Sequence, residues 1–80
     1  MQISSIAPLR SDFHVVPHGV YWEVKQEHHA FTWGTYLTKA EAVGEATTQA
    51  RQGHVSLIVH GRDGHIQYSN NYENVLDPFR

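Results

Sequence analysis

Seven of the 80 residues are histidines, and they are the first place to look for chemistry. His14 and His18 are four apart, but they fall in a strand-and-turn context where that spacing does not define one face. His28-His29 are adjacent, and adjacent side chains on extended backbone point to opposite sides. His60 and His65 flank a glycine-containing turn and are placed to meet across a hairpin. A zinc site needs three or four converging ligands, and no HExxH or comparable spacing occurs. The chain has no cysteine, which removes thiolate ligands, iron–sulfur clusters, disulfides and a thiol nucleophile. The histidines therefore read as structural or solvated, with no metal site and no cofactor assigned, and His-dependent metal binding stands as a third reading of function.

Ser56, His60 and Asp63 come nearest to a nucleophilic triad. Ser56 and His60 share a strand face, yet four extended residues separate them by about 13 Å, beyond hydrogen-bond reach. No nucleophile elbow GxSxG is present. The expectation is a protein that is not an enzyme, with no catalytic residue and no small-molecule substrate. Gly61-Arg62-Asp63-Gly64 would cradle a phosphate only if it opened a helix, and here it joins two strands. It reads as a turn in which Asp63 accepts local backbone N–H groups, with Arg62 at the tip as a contact residue.

The six cations, Arg10, Lys25, Lys39, Arg51, Arg62 and Arg80, are scattered, and the formal charge is −2. The basic patch expected of a nucleic-acid binder is missing, so that function stands as the alternative. Protonating all seven histidines adds seven charges to −2 and gives +5, so charge depends strongly on pH near 6.5.

The elements that position these residues follow from periodicity. Phe13–Pro17 alternates weakly and Val20–Lys25 strongly, with Val20, Trp22 and Val24 on one face and Tyr21, Glu23 and Lys25 on the other. His18-Gly19 between them reads as a hairpin turn. Phe31–Tyr36 is rich in aromatic and β-branched residues and reads as a third strand, where Gly34 marks a bulge or a close approach. Thr38-Lys39-Ala40-Glu41 has capping-box spacing and opens a helix that Gly53 closes as the residue after its end. Ala42, Val43, Ala46 and Ala50 form a narrow stripe of small side chains, suited to a sheet presenting Trp22, Phe31 and Trp33. Val55–His60 is apolar on both faces, as in an inner strand. His65–Tyr68 resumes alternation, and Ser69–Arg80 reads as turn-rich.

The order β-β-β-α-β-β defines an α+β domain, one helix on one face of a mainly antiparallel sheet. At 9.1 kDa it is a single domain, spanning 12–80 after a lead-in at 1–11. No apolar run approaches the ~18–20 residues that span a bilayer. No secretory signal opens the chain, so no membrane association and cytoplasmic residence are expected. One helix leaves the second sheet face bare, with His14, Val16, Tyr21, Glu23, Ile58 and His60 on it and Lys25 at its margin. That half-apolar face suits a protein partner or self-association, with Tyr21, Ile58, His60, Arg62 and Asp63 as binding residues. The competing expectation is that the N-terminal lead-in or the tail from Tyr72 to Phe79 folds over it.

In chain order, the blocks His14-Val15-Val16-Pro17, Trp22-Glu23-Val24-Lys25, Thr38-Lys39-Ala40-Glu41-Ala42, Val59-His60-Gly61-Arg62-Asp63-Gly64-His65-Ile66 and Asp77-Pro78 resemble the DUF2188 family of small bacterial proteins. The resemblance covers about residues 13–78. It implies these domain limits, a bacterial or phage origin and residence in the cytoplasm. It assigns no activity and no residue roles. Gln67-Tyr68-Ser69 and Gln26-Glu27-His28-His29 depart from the more charged segments common in the family, which lowers the case for phosphate contact.

Overall fold

The first two strands form the anchor of the sheet. β1 (Phe13–His18) and β2 (Tyr21–Gln26) pair antiparallel from Phe13↔Gln26 to His18↔Tyr21. The structure, a computed structural model, describes residues 11–73; residues 1–10 of the lead-in and 74–80 of the tail lie outside the described residues, and so does the expectation that either folds over the second sheet face. β1 runs one residue further than its alternation suggests, so the two-residue loop is Gly19-Val20, not His18-Gly19. Gly19 takes φ +61°, which a residue with a Cβ adopts only at a cost. Val20 consequently sits in the turn, 73% exposed, and does not share the face of Trp22 and Val24.

β3 (Thr32–Tyr36) pairs with β2 through Trp22↔Tyr36 and Val24↔Gly34. A bulge between Val24 and Lys25 leaves Trp33 as the extra residue. Both expectations for Gly34 meet here, because it faces the bulge and the Tyr36 ring lies against it. A Cβ at Gly34 would come within 2.5 Å of the Tyr36 hydroxyl.

α1 (Lys39–Gly53) opens with the full capping box. The Glu41 N–H donates to Thr38 Oγ1 at 3.1 Å, and the Thr38 N–H donates to Glu41 Oε1 at 3.2 Å. Thr38→Ala is expected to cost about 1 kcal/mol, read as a lower urea midpoint with an unchanged slope; an unchanged midpoint contradicts the role. At the other end Gly53 stays helical, and His54 takes the left-handed turn at φ +56°. The Val55 N–H then closes on the Ala50 carbonyl at 3.1 Å while the His54 N–H closes on Arg51 at 3.3 Å, a Schellman pattern. Turning one residue later lets Val55 pack against the core.

β4 (Ser56–His60) pairs parallel with β1, in the register Phe13↔Leu57, His14↔Ile58 and Val15↔Val59. β5 (Ile66–Asn71) pairs antiparallel with β4, and the sheet order is β3-β2-β1-β4-β5. The strand therefore continues through Ser69, Asn70 and Asn71, which read as turn-rich in sequence. These residues are exposed on an edge strand, so backbone pairing to Ile58, Leu57 and Ser56 defines them and side-chain burial does not.

α1 lies across β1, β2, β3 and β4 and stops short of β5. Ala42, Ala46 and Ala50 are wholly buried against Phe13, Val15, Trp22, Val24, Leu57 and Val59. The expectation of large rings under the helix holds for Trp22 and fails for Phe31, which lies outside β3 and is 70% exposed. Trp33 is half out at 46%, its ring edge-on to Phe13 at 5.4 Å and its Nε1–H donating to Gln26 Oε1 at 2.9 Å. Branched aliphatics supply the bulk of the packing surface.

Candidate functional site

Strand alternation decides which side chains the open face carries. With Val15, Val24, Leu57 and Val59 turned to the helix, the residues between them turn outward on the other side. His14, Val16 and His18 project from β1, Tyr21, Glu23 and Lys25 from β2, and Ile58 and His60 from β4. Ile66, paired with His60, extends the face onto β5. Tyr21 is 43% exposed and Ile66 is 62% exposed, while Val16 and Ile58 are half-buried between neighbours. Glu23 accepts from Thr32 Oγ1 at 3.1 Å and lies 3.7 Å from His18 Nδ1. Tyr21, Ile58 and His60 are thus brought to one surface.

The histidine pairing differs from the one expected. His60 does not meet His65 across the turn; its Nε2 lies 2.9 Å from His14 Nδ1, with the two rings stacked at 5.2 Å. The reason is the parallel seam, which puts β1 beside β4 and turns both rings to the same side. His14 Nε2 in turn lies 2.7 Å from Glu27 Oε2, and His60 Nδ1 lies 3.1 Å from the Gly64 carbonyl. Glu27 is held by its own N–H, which donates to the Asp12 carbonyl at 2.9 Å. Glu27 was not among the candidate residues. Its signal was its place in phase with Glu23 and Lys25, one step past the end of β2.

Asp63 and Arg62 sit on the β4–β5 turn, beyond the strand residues of that surface. Asp63 Oδ1 accepts the His65 N–H at 3.0 Å, and Oδ2 lies 3.2 Å from His65 Nδ1. The His65 side chain, helped by that backbone bond, holds the Asp63 carboxyl below its ordinary 3.8. Asp63 therefore stabilises the turn above the carboxylate range, and that contribution is lost as pH falls through its lowered value. Arg62 is exposed but engaged: its guanidinium lies 4.5 Å from the Trp22 ring centre and donates to the Gly19 carbonyl. Lys39 covers the same ring at 5.2 Å and donates to Gln67, the extra residue of the β5 bulge. Under the helix, burial and the nearby Glu45 carboxylate both raise the Tyr36 hydroxyl above 10.0.

Among the described residues no group of three or more histidine, aspartate or glutamate side chains is placed to hold a metal ion. The Ser56 N–H donates to Asp12 Oδ1 at 2.9 Å. No helix among the described residues is long and apolar enough to cross a membrane.

One helix packed on a five-stranded, mostly antiparallel sheet, whose second face no described element covers, defines a small α+β domain of the β-β-β-α-β-β type. The chain belongs to DUF2188, a family of uncharacterised proteins conserved in bacteria, whose model matches residues 13–72. That span runs from the first residue of β1 to just past β5. Comparison with curated proteins gives no match, and comparison with solved structures gives none.

Proposed function

We propose that this chain is a small, non-enzymatic module of the cytoplasm that acts by protein contact through its open sheet face. The observation that carries the reading is that α1 covers one side of the sheet only. The other side holds Tyr21 and Ile66 exposed beside half-buried Val16 and Ile58. A centre of aromatic and aliphatic surface with polar groups around it is the usual anatomy of a protein contact. The cations speak against nucleic acid, since Lys39 and Arg62 lie over Trp22 and Arg51 lies over the Tyr72 ring at 5.6 Å.

Tyr21→Asp tests the reading at an exposed position, where a charge disturbs a contact without burying itself in the fold. Tagged wild type and variant are compared in pull-downs from bacterial lysate treated with nuclease and chelator, and in light scattering of the purified chains. The expected result is association, with a partner or between copies, that drops at least tenfold in the variant while its circular dichroism stays unchanged. Equal association by both chains, or none by either, contradicts the reading.

A further inference from the structure

The contacts of His14 and His60 fix a proton count. The Gly64 carbonyl can only accept, so His60 Nδ1 must carry a hydrogen. An ionised Glu27 can also only accept, so His14 Nε2 must carry one. The two remaining ring nitrogens, His14 Nδ1 and His60 Nε2, face each other at 2.9 Å, and a hydrogen bond between them needs a third hydrogen. Two neutral imidazoles supply two. We propose that Glu27, His14 and His60 form a clasp closed by one additional proton, tying the β2–β3 loop and the β4–β5 turn to the centre of the open face.

The count does not depend on where the proton rests. Placed on either ring it gives an imidazolium beside the Glu27 carboxylate; placed on Glu27 it gives a carboxylic acid donating to a neutral His14. In each case removing it leaves one of the three contacts without a hydrogen. Protonating both rings sets two N–H groups against each other across the 2.9 Å gap. The clasp is therefore closed within a pH window and opens on both sides of it. The surroundings are mixed in charge. Lys25 stands cross-strand from His14 on β2, while Glu23 and His18 share the face from β2 and β1. His28 and His29 follow Glu27 in the loop, Asp12 lies at the start of β1, and Arg62, Asp63 and His65 lie on the turn beyond His60. β5 contributes only Ile66, Ser69 and Asn71 to this side.

The test is nitrogen-detected NMR of the histidine rings, with amide-exchange protection factors for Glu27, His28 and His29, from about pH 4.5 to about pH 9.5. Within the window His60 is expected to carry a hydrogen on Nδ1, the less common site in a neutral imidazole, with a further hydrogen shared across the His14–His60 gap. Loop protection is expected to peak within the window and fall at least threefold on each side. Glu27→Gln supplies the decisive comparison, since its amide can donate to His14 Nε2 and close the chain with two neutral rings. In that variant the extra proton disappears and loop protection no longer falls on the alkaline side. A wild-type His60 protonated on Nε2 alone, or loop protection flat across the range, overturns the clasp. Unchanged ring signals in Glu27→Gln do the same.

Discussion

Trp22→Ala is expected to cost about 3–5 kcal/mol, the usual loss for truncating a large buried aromatic. An 80-residue domain holds about 4–12 kcal/mol in all, so the variant lies at or near the edge of unfolding. The size of the effect comes from where the ring sits. Trp22 is 7% exposed at the end of the helix-covered core, and its outer side is the platform for both Lys39 and Arg62. Removing it opens a cavity beside α1 and releases the two cations that join the β4–β5 turn and the helix start to β2. The cations themselves count for less: Arg62→Ala alone loses an exposed cation–π contact of about 0.5–1 kcal/mol. Urea unfolding, followed through Trp33 in Trp22→Ala and through both indoles in Arg62→Ala, measures the two losses. A Trp22→Ala loss under about 1 kcal/mol contradicts this account of the core.

Leu57→Ala carries the second large effect, about 2–5 kcal/mol. Leu57 is wholly buried and pairs with Phe13 in the seam where β1 meets β4, so the lost volume lies at the middle of the sheet beneath the helix. Ile58, the next residue along, projects to the opposite face and is only half-buried. Ile58→Ala is therefore expected to cost clearly less. Urea midpoints of the two variants, with slopes equal to wild type, read the alternation of β4 directly. Equal losses at the two positions contradict the assignment of the faces.

The local signals in this sequence were strong where side chains and backbone asked for the same thing. Thr38 and Glu41 announced the helix start, and Ala42, Ala46 and Ala50 announced its buried stripe, because capping and periodicity act over a few residues. Boundaries moved where two neighbours competed for one role. Gly19 rather than His18 began the turn, and His54 rather than Gly53 ended the helix, each displaced one residue by the strand that follows or precedes it. Ser69–Asn71 gave no strand signal because an edge strand with both faces wet has no apolar period. Most of the open face was legible from alternation alone; His18 and Ile66 joined it only once β1 and β5 had their observed bounds and register. Its chemistry was not legible, since the His14–His60 contact depends on pairing β1 with β4, and no short-range pattern records which distant strands meet.

That seam also sets an order of events in time. The β1–β2 hairpin closes through two residues and the β4–β5 hairpin through a short turn, steps of roughly microseconds. The seam joins Phe13 to Leu57, and closing so long a segment carries the larger entropic cost. Two antiparallel pieces and a helix are thus available early, and the chain becomes one domain only when they dock along three residue pairs. Docking along this central seam is the rate-limiting step, so its contacts are already made in the transition state. Their loss in Leu57→Ala is expected to register as slowed refolding more than as accelerated unfolding.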